Sequence, residues 1–140
     1  MSSGSGYLLD TNVISETRKS RADERVMAFL DATDSASLFL SVLTIGEMRK
    51  GIQIKRLVDA DAAFRIGKWL DGIELTFADR LLPVDAEVAK RWGTFSAERS
   101  RPVIDTLIAA TASVHELTLL TRNASDFVGL GISLVDPWRG

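Results

Sequence analysis

The stretch YLLDTN at residues 7–12 places a short apolar run directly before an acidic side chain. A run such as Tyr7-Leu8-Leu9 is typical of a buried strand, and Asp10 stands where that strand would end. Comparable apolar runs recur at residues 38–40, 81–84, 117–120 and 132–135. The stretch therefore predicts the first strand of a sheet that carries a polar group at its end.

Segments with apolar residues at helical spacing separate these runs, at 23–32, 43–53, 60–73, 85–99 and 102–114. Asp23 and Asp85 are placed to cap two of the helices, and Pro102 stands near the first helical position of another. Strands that alternate with helices of this length indicate parallel pairing with helices on both faces. The sequence thus predicts a three-layer α/β/α domain with a mostly parallel central sheet.

Length and composition are those of one ordinary globular domain. The chain has 140 residues, of which 46% are hydrophobic and 26% charged, which excludes a disordered, collagen-like or membrane-bundle class. We expect residues 7–140 to form the domain and residues 1–6 to be a flexible extension, either native or left from a tag. Since no apolar run reaches the ~18 residues of a membrane span and no export signal is evident, we expect a cytoplasmic protein without membrane contact.

The side-chain inventory narrows the chemistry further. The chain has no cysteine and a single histidine, His115, which excludes thiolate zinc sites, cysteine nucleophiles and HExxH zinc sites. A net charge of −2 gives no global attraction for nucleic acid. Contact with RNA or DNA would therefore need a local basic patch or a bound cation.

Acidic side chains follow several of the predicted strands, at the sheet edge where parallel sheets bind ligands. Asp10 ends the first strand, Glu47 lies one turn into the second helix, and Asp105 lies in the first turn of the last helix. Asn123 and Asp126 follow the 117–120 strand. Each position also has a structural explanation: Asp10 as a helix cap, Thr44 and Glu47 as a capping box, Asp105 as a partner of the helix dipole, and the last two as turn residues.

If the strands bring these acids together, the acids are better explained as a binding site for a cation. Carboxylates at close spacing raise one another's pKa and destabilise an empty site, whereas a divalent cation removes that conflict. Oxygen ligands without histidine or cysteine favour a hard ion, so the sequence predicts Mg²⁺ or Mn²⁺.

Four blocks of the chain, in order, resemble PIN domains and, more narrowly, the VapC-type toxins of bacterial toxin–antitoxin operons. The blocks are YLLDTNVI at 7–14, SVLTIGEMRKG at 41–51, PVIDTLIAA at 102–110 and LTRNASDF at 120–127. The resemblance implies a PIN fold and a Mg²⁺- or Mn²⁺-dependent endoribonuclease that hydrolyses RNA phosphodiester bonds. It also implies a cognate VapB-type antitoxin as inhibitor, and a homodimer.

The resemblance also assigns roles to individual residues. The family's acidic positions fall on Asp10, Glu47 and Asp105, which we expect to be catalytic and to bind the metal. The fourth position falls on Asn123, where many members carry aspartate, so Asp126 is a second candidate for that role.

Substrate contacts are expected from polar and basic side chains near these acids. Thr11, Asn12 and Thr121 could bind substrate or hydrogen-bond the carboxylates, and Arg49, Lys50 and Arg122 could guide the RNA strand. Further basic candidates are Arg18, Lys19, Arg21, Arg99 and Arg101. Aromatic and leucine side chains around Ala60 to Phe77 are expected to supply the dimer surface.

Two other functions remain open from the sequence. A receiver-like phospho-acceptor domain also gathers acids and Mg²⁺ at strand ends, but it would need adjacent acids after the first strand and a late lysine. A catalytically inactive module that retains the PIN fold is the other alternative.

Overall fold

The structure is a computed structural model and describes residues 6–139. Its strands are short, and each lies within or overlaps one of the predicted apolar runs. They are β1 Tyr7–Leu9, β2 Leu38–Ser41, β3 Leu81–Leu82, β4 Thr118–Leu120 and β5 Leu134–Val135.

These strands form one sheet in the order β3-β2-β1-β4-β5, and each described pairing is parallel. In the central strand, Tyr7 is in register with Leu38 of β2 on one side and with Thr118 of β4 on the other. The chain winds outward from β1 in both directions, so the gap between β1 and β4 is the switch point of the sheet. Such switch points form crevices at the carboxyl ends of the strands.

The helices are α1 Thr11–Thr17, α2 Glu24–Asp31, α3 Val42–Arg56, α4 Ala60–Thr76, α5 Ala86–Glu98 and α6 Val103–Val114. Asp23 and Asp85 cap α2 and α5 through their side chains, as predicted. Two short 3₁₀ turns occupy Ser35–Ser37 and Ala124–Phe127. Helix α1 begins directly after Asp10. The apolar pattern did not predict this helix, which was expected only under the interpretation of Asp10 as a helix cap.

Successive strand residues point to opposite faces of the sheet and build two separate cores. Leu8 packs in the core on the α5 and α6 face, and Leu9 packs in the core on the face covered by α1 to α4. A smaller cluster of Ile52, Ala63 and Leu70 joins α3 to α4 as a helical hairpin. The three-layer α/β/α prediction is confirmed.

The described fold includes Gly6, whose carbonyl oxygen accepts a hydrogen bond from the Thr118 amide at 3.0 Å. Gly6 is buried, and an added Cβ there would lie 2.6 Å from Leu117 Cδ2. The rest of the predicted extension, residues 1–5, lies outside the described residues.

None of the helices within residues 6–139 combines the length and the apolar character needed to cross a bilayer.

Candidate active site

Asp10 sits at the switch point, between the end of β1 and the start of α1. Its backbone amide donates to Leu120 O at 2.9 Å, which continues the pairing of β1 with β4. Its carboxylate accepts from the Thr11 amide and from Thr121 Oγ1, each at 2.8 Å. Asp10 therefore caps α1, as the structural explanation proposed, and also presents a fixed carboxylate at the sheet edge.

Burial shapes the electrostatics of Asp10, which is only 6% exposed. Removal from water raises the pKa of its carboxyl, and the nearby charge of Glu47 adds to the increase. The hydrogen bonds from Thr121 and Thr11 oppose this effect without cancelling it. Among the described side chains, no positive charge therefore compensates the ionised Asp10 carboxylate.

Glu47 lies in the second turn of α3 and is held by the residue that follows Asp10. Thr11 Oγ1 donates to Glu47 Oε1 at 2.6 Å, and the same hydroxyl lies 3.2 Å from Thr44 Oγ1. One threonine therefore links the end of β1 to α3 and orients the glutamate.

The capping-box explanation of Thr44 and Glu47 is wrong. Strand β2 runs directly into α3, and Ser41 caps the helix by accepting from the Leu43 amide at 3.0 Å. Thr44 is consequently a buried residue inside the helix, where its hydroxyl faces Thr11. Sequence reasoning missed this role because the Thr-x-x-Glu spacing is shared by a cap and by two neighbours on one helix face.

Asp105 lies in the first turn of α6 and is partly buried. Burial raises the pKa of its carboxyl, and the charges of Asp10, Glu47 and Asp126 raise it further. Four acids from four segments of the chain therefore act on one region. We call Asp10, Glu47, Asp105 and Asp126 the acidic rim.

Asn123 and Asp126 follow β4 in the Ala124–Phe127 turn and differ in their relation to the rim. The Asn123 amide donates to Thr121 Oγ1 at 3.1 Å, which ties the loop to the hydroxyl that also bonds Asp10. Asp126 contributes its charge to the site and lines a cavity together with Asp105. Of the two candidates for the fourth position, Asp126 is the one that brings a carboxylate to the rim.

The donor set of the rim consists of carboxylate and hydroxyl oxygens, which fits Mg²⁺ or Mn²⁺ and excludes a soft metal. In the described part of the chain, no three acidic, histidine or cysteine side chains have the spacing of a ready-made ligand group. Mg²⁺ commonly keeps several waters and takes one or two protein carboxylates. The rim therefore fits a cation that would take one or two carboxylates directly better than a cation enclosed by protein ligands.

Three of the residues predicted to bind substrate or hydrogen-bond the carboxylates, Thr11, Asn12 and Thr121, contact the Asp10 carboxylate. Asn12 Oδ1 accepts from the Arg122 amide at 3.3 Å, and Asn12 Nδ2 lies 3.5 Å from Asp10 Oδ2. The Arg122 guanidinium lies 5.0 Å from the Trp138 ring. Together with Thr11 and Thr121, these contacts form a hydrogen-bonded frame across the β1–β4 crevice.

Arg49 is engaged in ion pairs that link α3 to α4. Arg49 Nη2 donates to Asp71 Oδ1 at 2.7 Å, and Arg49 Nε donates to Glu74 Oε2 at 3.1 Å. These two carboxylates, which project from α4, raise the pKa of Arg49. The Arg49 side chain is 40% exposed, and Lys50, the next residue, is exposed. A contact of either residue with RNA stays a prediction.

Comparison with known families accounts for this arrangement. The PIN domain model matches residues 7–128, a range that contains all four rim acids. The chain belongs to the PIN domain family. The receiver-like interpretation is therefore wrong.

Two relatives of this PIN domain match it over almost their whole length. It is 34% identical to Toxin FitB of Neisseria gonorrhoeae over 138 residues, covering 94% of this chain and 98% of that protein. It is 35% identical to VapC ribonuclease Y4jK of Sinorhizobium fredii, covering 94% and 97% of the two chains.

Solved structures show the same fold. The crystal structure of FitAcB from Neisseria gonorrhoeae superposes with a TM-score of 0.86 at 33% identity, covering 96% of this chain and 99% of that one. The DNA-bound VapBC structure from Salmonella typhimurium gives a TM-score of 0.75 at 22% identity, covering 94% and 98% of the two chains. The layered architecture is thus retained where most residues differ.

Proposed function

We propose that this PIN domain is a VapC-type toxin that hydrolyses RNA phosphodiester bonds with the help of Mg²⁺ or Mn²⁺. The observation that carries the proposal is the meeting of acids at the switch point of the sheet, where Thr11 hydrogen-bonds both Asp10 and Glu47 and the charges of these two acids raise the pKa of Asp105. Repulsion among neighbouring acids, of which Asp10 is buried and Asp105 partly buried, destabilises the protein unless a cation binds there. The relatives named as toxin and ribonuclease point to the same activity.

Asp10 and Asp105 are the residues that would hold the cation, because they are the two rim acids whose pKa is raised by burial. A bound divalent ion supplies positive charge for the phosphate and lowers the pKa of water. Thr121 and the Thr11 amide fix the Asp10 carboxylate, so its oxygens are oriented before substrate arrives.

Glu47 is the residue best placed to manage the attacking water. Thr11 fixes Oε1 of its carboxylate, so the second oxygen can orient a water molecule and accept its proton. The water oxygen then forms a bond to phosphorus, and the bond from phosphorus to the leaving ribose oxygen breaks. That oxygen takes up a proton from solvent.

The experiment that tests the function uses purified protein, Mg²⁺ and total cellular RNA, followed by sequencing of the 5′ ends of the released fragments. Recurrent ends with wild-type protein, and none with the Asp10→Asn variant, support the proposal. Calorimetric titration with Mn²⁺ separates the remaining alternative, because an inactive module with the same fold would bind no Mn²⁺ through Asp10.

We also propose a cognate VapB-type antitoxin, a homodimer and a cytoplasmic location. The FitAB assembly, which is 33% identical to this chain over its matched subunit, is described as bound to a DNA fragment. The helical hairpin of this chain offers an apolar surface for association, including Phe64 and Leu75. Within the range predicted for the dimer surface, Leu70 and Phe77 are buried instead and belong to the cores.

A further inference from the structure

We propose that a cavity beside the acidic rim holds an RNA phosphate next to the one that is cleaved, with Arg101 and Arg99 as its ligands. The inference rests on the proposed ribonuclease function and names part of its substrate site. The cavity has a volume of about 300 Å³ and lies between the α5–α6 connection and the Ala124–Phe127 turn. Its lining includes Arg99, Ser100, Arg101, Asp105, Ser125 and Asp126.

Arg101 has a hydrogen-bond donor that no acceptor within residues 6–139 satisfies. Its Nη1 donates to the Phe95 carbonyl at 3.3 Å, which anchors the side chain at the end of α5. Its Nε is buried and has no hydrogen-bond partner within residues 6–139. A buried N–H without a partner is costly. Because Arg101 lines the cavity, a rotation of its guanidinium would let an acceptor in the cavity bond this N–H.

The charges around the cavity indicate an anion with several oxygens. Within the described residues, neither Arg99 nor Arg101 forms an ion pair with a carboxylate. A guanidinium presents parallel donors that match two phosphate oxygens. Arg99 is exposed beside it and adds a second positive charge.

Helix α6 adds donors at the same place. Pro102 begins the helix without a side-chain cap, whereas each of the other five described helices is capped by an aspartate or a serine. The first amides of α6 are therefore left without a capping side chain at a cavity lined by Pro102. They support anion binding but would not establish it without the two arginines.

Asp105 and Asp126 line the same cavity and repel a phosphate. A cation at the rim would reverse this repulsion, because it would neutralise the acids that line the cavity. Arginine on one side and a cation on the other would then hold two consecutive phosphates of a strand. The phosphate at the rim is the one that reacts.

The test combines cleavage kinetics in Mg²⁺ with RNA binding at the same fixed Mg²⁺ concentration, and the binding is measured in a Glu47→Gln background so that the RNA stays intact. The probe is a fluorescein-labelled pool of 20-nucleotide single-stranded RNA, and the variants are Arg101→Gln, Arg99→Gln and Arg101→Lys. Lys90→Gln is the matched control, because Lys90 is exposed on α5 and its removal changes the net charge equally. Unfolding midpoints verify that each variant is folded.

We expect Arg101→Gln to raise KM about tenfold and to leave kcat within a factor of about two, since the contact is the same before and during the reaction. The slope of log binding constant against log salt should shrink by about 0.7, the value of one single-strand phosphate contact. Arg101→Lys should give the wild-type slope, because the positive charge is kept. Its KM should lie between those of the wild type and Arg101→Gln, because lysine lacks the planar fork of the guanidinium. Lys90→Gln should change neither quantity.

The outcomes separate this inference from the function on which it rests. If the wild type cleaves RNA and neither arginine variant changes KM or the salt slope, the phosphate subsite is overturned and the ribonuclease stands. If the wild type does not cleave but the slope depends on Arg101, the RNA contact stands and the ribonuclease proposal fails. If the variants weaken only antitoxin binding, the cavity is a protein-docking site and the inference is overturned.

Discussion

The acidic rim and the outer end of the helical hairpin both differ from an ordinary protein surface. The rim concentrates negative charge, whereas the end of the hairpin exposes apolar side chains. The rim brings acids from four segments to one edge of the sheet, with Asp10 buried and fixed by Thr11 and Thr121, Glu47 fixed by Thr11, and Asp105 partly buried in the first turn of α6. The hairpin tip, which we define as Ile54, Leu57, Val58 and Phe64, leaves apolar side chains in water. Leu57 and Val58 are 85% and 81% exposed.

The contrast shows that each region is incomplete in a specific way. Acids at the rim are stabilised by positive charge, which the proposed cation would supply. Apolar groups at the tip are stabilised by a surface that excludes water, which the proposed second copy of the chain would supply. Arg49 lies between the two regions and ties α3 to α4 through Asp71 and Glu74, so the hairpin keeps its shape while its tip is exposed.

The strongest test of the rim is Asp10→Asn, which we expect to lower RNA cleavage at least about a thousandfold by removing a cation ligand. The fold should persist because asparagine also caps helices well. The matched control is Asp59→Asn, since Asp59 caps α4 by accepting from the Ala62 amide at 3.0 Å. Equal activity of the two variants in a cleavage assay would remove Asp10 from the mechanism.

A smaller loss is expected from Thr11→Val, which deletes the hydroxyl that bonds Glu47 and preserves the shape of the side chain. We expect kcat to fall about tenfold with KM little changed, because one hydrogen bond to a charged group is lost. Thr44→Val serves as the comparison, because Thr44 reaches Glu47 only through Thr11. An equal loss in both variants would show that packing, and not the orientation of Glu47, is affected.

The tip is tested by Leu57→Lys, which should leave cleavage unchanged and weaken self-association about tenfold. An exposed substitution changes the free energy of unfolding by about 0.5 kcal/mol or less, so the fold is not at risk. Sedimentation at several concentrations measures the dimer. A dimer of undiminished affinity would show that the hairpin tip is not its interface.

The smallest effect is on stability, where Asp10→Asn should raise the free energy of unfolding at pH 7 in EDTA. The pKa of Asp10 is raised above its ordinary value of 3.8, so the folded wild type binds the proton more tightly than the unfolded chain does. Wild-type stability is therefore retained below that value and lost as pH rises through the raised pKa.

Urea unfolding across pH measures this difference. The two proteins should converge below about pH 4, and Mg²⁺ should stabilise the wild type alone. A variant that is less stable than the wild type at pH 7 in EDTA would contradict the proposed repulsion.

Much of the fold could be predicted because its signals are local. The apolar runs gave all five strands, and Asp23 and Asp85 marked helix starts through their own side chains. Asp10, Glu47 and Asp105 could be grouped because parallel strands bring their carboxyl ends to one edge. Family resemblance then supplied Asn123 and Asp126 as candidates for the fourth position, and of these Asp126 brings a charge that raises the pKa of Asp105.

The contacts that the sequence did not predict are tertiary. Arg49 has no evident partner in the sequence, because Asp71 and Glu74 lie 22 and 25 residues away and contact it only when α3 packs against α4. The cavity at Arg101 likewise joins two loops that are remote in sequence. Spacing within one helix cannot report such contacts.

The hydrogen bond from Thr121 to Asp10 spans 111 positions of the chain. During synthesis Asp10 leaves the ribosome before Thr121 is made, so the hydroxyl that fixes its carboxylate is supplied later. The proposed ribonuclease would therefore complete its active site only after Thr121 has been synthesised and β4 has paired with β1.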